Sequence, residues 1–269
     1  MNVLILTDFS EVSENAGKYA LDYLAGRPGN IYVLNIQDFN FSKSNGKALE
    51  KQMLHISAEL HKTVEMLKNL SKNRNQGFHS ILSSDYLINA IRKCVTEKKI
   101  DLIFIGAASR DVRHHPILGN HAYEVVRKIK CNIVAVPAKS VYQKPKTSIL
   151  PIDYSVLFQE KVLNLVNNCD FVRDTHITVV EINKGTSGEL KKELVQYGLA
   201  KKLPEATLHY MDIKDSDFFN RDLLFEIQDK FDIIAIIGKN LDVCDKLLHA
   251  RYGLCAKVDN ALPILVLHE

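Results

Sequence analysis

The sequence predicts an α/β protein made of two consecutive copies of one small unit, each with five strands alternating with helices in a parallel sheet. Three observations carry that prediction. The chain has 269 residues, longer than a typical single domain. Short runs rich in Ile, Val and Leu alternate with longer segments of helical spacing along its whole length. The second half also repeats residue patterns of the first in the same order.

In the first copy the apolar runs at Asn2 to Thr7, Ile31 to Ile36, Phe78 to Leu82, Leu102 to Ile105 and Asn132 to Val136 read as buried strands. Between them, helical spacing joins Ala16, Tyr19, Ala20, Tyr23 and Leu24, then Leu60, Val64, Leu67 and Leu70, then Val125, Val126 and Ile129. The segment Lys47 to Asn75 is a long amphipathic helix, and its apolar stripe is expected to pack on its own sheet rather than on a partner. Lys139 to Lys146 has no period and contains Pro145, which marks it as a linker. Domains are therefore expected over 1–140 and 146–269. Beyond the linker, strands are expected at Ser148 to Ile152, Ile177 to Ile182, Thr207 to Met211, Ile233 to Ile237 and Ile264 to Leu267.

The repeat is visible in the residues. Leu6-Thr7-Asp8-Phe9-Ser10 is echoed by Pro151-Ile152-Asp153-Tyr154-Ser155, and Ile100-Asp101 through Gly106 by Phe231-Asp232 through Gly238. The closing strands Cys131 to Val136 and Leu262 to Leu267 also match. Three agreements in one order are unlike chance.

Composition excludes several classes. The net charge of +3 is spread along the chain, so no nucleic-acid arm is indicated. The start, Met1 to Asp8, lacks a basic segment and a long apolar run, and no later run approaches a membrane span, which predicts a cytoplasmic protein. The five cysteines, Cys94, Cys131, Cys169, Cys244 and Cys255, form no C-x-x-C pair and read as buried, reduced thiols. P-loop, dinucleotide, nucleophile-elbow and zincin motifs are absent. His114, His115 and His121 lack the accompanying ligands of a zinc site and read as solvated loop residues.

A strand ending in Asp8-Phe9-Ser10, a fourth strand Asp101-Leu102-Ile103-Phe104-Ile105-Gly106, and a loop spaced like Gly-x2-Gly-x9-Gly-(Ser/Thr) before a helix together resemble the universal stress protein family. The resemblance covers nearly the whole chain, twice. It implies Rossmann-like open sheets of order 3-2-1-4-5 with helices on both faces. In the family's nucleotide-binding branch it further implies ATP with Mg²⁺ across the ends of strands 1 and 4. Physics agrees with that placement, because strand order reverses there and the crevice of an open parallel sheet lies at the carboxyl ends.

Carried over residue by residue, the resemblance marks Asp8, Ile36, Gly106, Ser109, Gly119 and Asn120 as nucleotide contacts. Ser109 stands where the family has its second glycine and Asn120 where it has Ser or Thr. If that second glycine holds φ > 0, serine costs about 1–2 kcal/mol or reshapes the loop. From Gly238 the second copy offers Leu241, Arg251 and Tyr252 at the motif positions, with Asp242 and Asp245 repelling anions. The first loop instead carries Arg110, Arg113, His114 and His115. If one half binds nucleotide, it is the first.

Each of these residues also has a plainer reading. Asp8 with Glu11, and likewise Asp153, can cap the helix that follows. Ile36 can simply end a buried strand. Gly106 and Gly119 can serve a tight turn and close helix packing. Two functional classes follow: a mainly non-enzymatic stress-response protein whose halves pair as a built-in dimer through their apolar fifth strands, or an adenine-nucleotide binder with slow turnover at most. A different small ligand in the degenerate crevice, and self-association beyond the fused pair, stay open.

Overall fold

The computed structural model describes residues 1–25, 27–37, 46–73, 75–107, 118–152, 169, 171, 175–183, 189–203, 207–214, 230–239 and 262–268. The chain forms two compact units, Met1–Gly106 with Val136–Tyr142, and Ala107–Ala135 with Gln143–Glu269.

In the first unit, β1 (Asn2–Thr7) lies between β2 (Gly29–Ile36) and β4 (Leu102–Gly106), parallel to both, and β3 (Gln76–Ser83) flanks β2. The order is therefore 3-2-1-4, with its reversal between β1 and β4. Val3, Leu4, Ile5, Ile103 and Phe104 are all but inaccessible, because both faces of these central strands are covered. Helix α1 (Glu11–Leu24) buries Ala16, Gly17, Tyr19, Ala20, Tyr23 and Leu24. At Gly17 the missing side chain admits α2 (Gly46–Leu70), since a Cβ there would lie 3.0 Å from Leu67 Cδ2. The buried stripe Ile56, Leu60, Val64 and Leu67 turns α2 onto its own sheet, as expected of this long amphipathic segment. Helix α3 (Leu87–Lys98) was not anticipated individually. It buries Ile88, Ala90, Ile91 and Cys94 and ends on Lys99 in the left-handed region, φ 50°.

The expected linker begins as a docked strap. Asn15 Nδ2 on α1 donates to the carbonyls of Pro137 and Ser140, each at 2.9 Å, and Ser140 is buried. Tyr142 meets Tyr19 and Tyr23 edge-on at centroid distances of 5.2 and 5.9 Å. Arg27 covers Tyr23 at 4.7 Å.

The second unit contains α4 (Asn120–Lys128), β5 (Asn132–Val136), β6 (Thr147–Ile152), β7 (His176–Asn183), α5 (Glu189–Lys202), β8 (Thr207–Lys214), β9 (Ile233–Ile237) and β10 (Ile264–Leu267). Its strand order is β5-β10-β9-β6-β7-β8. Read from β8, the second repeat realises the whole order 3-2-1-4-5 in parallel, as expected. One difference stands out. Two separate five-stranded sheets were expected, but β5, last strand of the first repeat, pairs antiparallel with β10, in the register Ile264 to Ala135, Leu265 to Val134 and Val266 to Ile133. Open apolar edges are unstable exposures, and each fifth strand covers the other.

Register also aligns the repeats. Val3 pairs with Leu102 and its counterpart Ser148 with Ile233. Gly106 therefore corresponds to Ile237, and Gly238 to Ala107, one residue off the match suggested by sequence. The Asp that opens the fourth strand has the same task in both repeats. Asp101 Oδ2 accepts from Asn2 N at 2.7 Å, and Asp232 Oδ2 from Lys146 N at 2.8 Å and Thr147 N at 2.9 Å, so each carboxylate anchors the start of a first strand.

Among the described residues Cys94 and Cys131 are buried and Cys169 is half-buried. Burial, aided by Glu97, pushes the Cys94 thiol up. Cys244 and Cys255 lie outside the described residues. No described helix is long and apolar enough to cross a membrane.

Candidate functional site

At the carboxyl end of β1 the chain must reverse into α1 within three residues. Phe9 makes the turn at φ 64°, a left-handed conformation that costs an ordinary side chain roughly 1–2 kcal/mol. The turn holds because its polar groups are locked. Asp8 Oδ1 accepts from Ser10 N at 3.1 Å and from Ser10 Oγ at 2.5 Å, closing an Asx turn. Phe9 N donates to Thr7 Oγ1 at 3.1 Å.

The helix cap is Ser10, not Asp8. Ser10 Oγ accepts from Ser13 N at 3.3 Å, while Ser13 Oγ donates back to Ser10 O at 2.9 Å. The expected Asp8–Glu11 box is replaced because the turn at Phe9 brings the chain into the helix two residues later, and Asp8 steadies the cap from behind. Partial burial pushes the Asp8 carboxyl up. Hydrogen bonds from Ser10 and from the Ser13 side chain outweigh that and hold it below the ordinary carboxylate range. Asp8 is therefore an exposed, firmly ionised group at the strand reversal.

Ser13 is the hub of this corner, and sequence reasoning passed over it. It is buried, and its hydroxyl lies 3.2 Å from Thr7 Oγ1. Its backbone N is also what Gly106 faces. A Cβ on Gly106 would stand 2.8 Å from Val12 Cγ1, 3.1 Å from Val12 C and 3.2 Å from Ser13 N. The structure thus brings Asp8 and Gly106 to the same turn of α1, and the bare glycine at the end of β4 is occupied by helix backbone.

Asn35 was also missed. It is fully buried, its Nδ2 donates to Thr7 O at 2.8 Å, and its Oδ1 accepts from Gln37 Nε2 at 3.0 Å. The available signal was a polar residue interrupting the run Ile31-Tyr32-Val33-Leu34 before Ile36. Ile36 ends β2 half-buried, opposite Ser83 of β3.

Gly119 and Asn120 belong to the second unit. Gly119 is the N-cap of α4 at φ −63°, ψ 161°, a conformation open to any residue, and supplies no side-chain cap. Its buried position, not its backbone freedom, distinguishes it. Asn120 is exposed as the first helical residue, and Tyr123 N donates to Gly119 O at 2.9 Å. Ser109, and with it Arg110, Arg113, His114 and His115, lies outside the described residues, as do Asp153, Leu241, Asp242, Asp245, Arg251 and Tyr252. His121 is exposed, and among the described residues no cluster of His, Cys, Asp and Glu could hold a metal ion.

Open parallel sheets whose strand order reverses between the first and fourth strands, in both repeats, define a doubly wound α/β class. The sequence profile of the Universal stress protein family matches residues 1–137 of this chain. The chain belongs to the universal stress protein family. Among solved structures, a universal stress protein from Archaeoglobus fulgidus DSM 4304 is similar over 99% of this chain and 98% of its own, at TM-score 0.68 and 14% identity. A functionally unknown protein from Pseudomonas aeruginosa PAO1 is similar over 99% and 92%, at TM-score 0.55 and 11% identity. Both likenesses are of fold. No curated protein matches the chain.

Proposed function

We propose that the chain is a self-paired universal stress protein that acts by binding rather than by catalysis, its two repeats standing in for the two subunits of a dimer. One observation supports this most. In the β5–β10 ladder Ile133 faces Val266 and Ala135 faces Ile264, with Val134 on Leu265 between them. Ile133, Val134 and Ala135 correspond in the repeat to Ile264, Leu265 and Val266, so Ile133 pairs with the counterpart of Ala135, Ala135 with the counterpart of Ile133, and the central Val134 with its own counterpart. That self-complementary pattern belongs to a two-fold interface. All six residues are buried, so the edge a single repeat would offer to another chain is consumed inside this one.

Light scattering tests the proposal on the full chain, together with amide exchange. The expected result is the mass of one chain, with slow exchange at 133–135 and at 264–266. A stable dimer in which either segment exchanges rapidly would overturn it.

A second reading, an adenine nucleotide held by the first repeat, is favoured by the ionised, exposed Asp8 beside a strained Phe9 at the strand reversal. Left-handed backbone at a bulky residue is concentrated at binding sites. The fit to phosphate is poorer than the motif suggests, because the space at Gly106 is filled by α1. Calorimetry with ATP and Mg²⁺ decides it. One site per chain, weakened about tenfold by Asp8→Asn, supports nucleotide binding, whereas no heat at millimolar ATP removes it.

A further inference from the structure

The carboxyl end of β9 and β10 holds an imidazole for which the first repeat has no counterpart. Leu267 pairs with Ile237, so the residues after the two strands, His268 and Gly238, stand side by side. Gly238 N donates to Leu267 O at 2.8 Å. A Cβ on Gly238 would lie 2.6 Å from His268 Nδ1 and 2.8 Å from Nε2, so the ring rests directly on the bare glycine. In the first repeat the equivalent positions are Pro137 and Ala107, neither of which can reproduce this contact.

His268 also reaches the first repeat's own elements within the second unit. Its N–H donates to Asn132 Oδ1 at 3.0 Å, at the start of β5, and its ring hydrogen-bonds to the Val126 backbone in the last turn of α4. That turn is a helix C-terminus, where carbonyls lack helical partners. Nε2 is buried without a hydrogen-bond partner. A neutral ring tolerates this, whereas protonation would leave either an N–H with no acceptor or a charge out of water.

Among the described residues, the charged groups on the surrounding elements do not help a cation. Arg127 and Lys128 lie in the last turn of α4, Lys130 follows it, and Lys239 follows Gly238. Glu124, an acid of α4, is held by Lys128 at 2.6 Å.

We propose that His268 is a proton-operated tie between the repeats: neutral, its ring covers Gly238 and joins the end of β10 to α4 and β5, and protonated, it leaves and uncovers the carboxyl end of β9. Burial pulls its affinity for a proton down, the Val126 bond pulls it up and Lys130 pulls it down again, for a net fall below the ordinary histidine value. Because the folded value is depressed, the tie is intact above the unfolded value near 6.5. It weakens as pH falls from there through the folded value.

Histidine ring titration by NMR on the full chain is the first test. His268 should titrate below the ordinary histidine value near 6.5. After correction for intrinsic exchange, which slows as pH falls, opening at the Gly238 and His268 amides should rise at least tenfold between pH 7.5 and 5. Gly238→Ala should evict the ring without altering charge, because Gly238 has no left-handed backbone to strain. His268 should then titrate at the ordinary histidine value, and the extra opening should vanish. A wild-type His268 that titrates at or above the ordinary histidine value, or exchange that follows intrinsic chemistry alone, would overturn the proposal, and both are read without any variant.

Discussion

Gly106→Ala separates two explanations of the same glycine. If the residue exists to let a phosphate approach, the methyl group costs nothing until ligand arrives. The structure argues otherwise. The added Cβ would stand 2.8 Å from Val12 Cγ1, 3.1 Å from Val12 C and 3.2 Å from Ser13 N. Val12 is β-branched and helical, so its χ1 has little freedom to swing away, and the other two atoms are backbone. Relief requires moving the first turn of α1, which strains the Ser10–Ser13 cap and the Thr7–Ser13 contact. Overpacking of this kind costs about 1–3 kcal/mol. For a chain of this size that lowers the melting temperature by roughly 2–4 °C for each kcal/mol. The assay is thermal and urea unfolding of ligand-free protein followed by circular dichroism, with Ala107→Gly as the adjacent control. An unchanged midpoint for Gly106→Ala would refute the packing argument and return the glycine to the ligand.

Asn35→Leu should destabilise by about 1–3 kcal/mol in the same urea titration, because it strips a buried donor from Thr7 O without replacing it. Tyr142→Ala removes two edge-on ring contacts, each worth about 0.5–1.5 kcal/mol beyond burial, and should speed proteolytic cleavage near residues 138–142 where wild type resists. Partial burial pushes the Asp232 carboxyl up, but bonds from Lys146 N and from the Thr147 N–H and hydroxyl hold it below its ordinary value. Its contribution is therefore complete above the unfolded value of 3.8 and is lost as pH falls through the lower folded one, so an acid titration of Asp232→Asn should be flatter below pH 4 than that of wild type.

Most of the ten strands were legible because a doubly covered parallel strand is largely apolar, and few other structures impose that pattern. Helix α3 was less visible. Its stripe Ile88, Ile91 and Cys94 is short, and it follows the polar stretch Ser83-Ser84-Asp85, which reads as a loop. At the site, Asp8 and Gly106 stood out through their motif, yet what they do there did not. Whether Asp8 caps or merely supports a cap depends on φ at Phe9, and no residue type announces a left-handed phenylalanine. Ser13 reads as an ordinary helix residue, and its role as hub arises only when β1 and β4 meet α1.

The second repeat shows why a loop alone does not decide competence. Sequence matching set Gly238 against Gly106 and blamed the lost motif on Asp242, Asp245 and Arg251. Register instead puts Ile237, a buried side chain, where Gly106 stands. In the first repeat that position must be bare for α1 to reach the end of β4. With isoleucine there, the end of β9 does not offer the bare position that α1 uses at the end of β4. The two repeats then differ in the side chain at the end of the fourth strand as well as in the charge of the loop that follows in sequence. Neutralising Asp242 and Asp245 together should not create a second nucleotide site, and calorimetry with ATP and Mg²⁺ should give the same stoichiometry as wild type. An added site would mean that charge alone had silenced this half, and that the register argument overstates the role of the glycine.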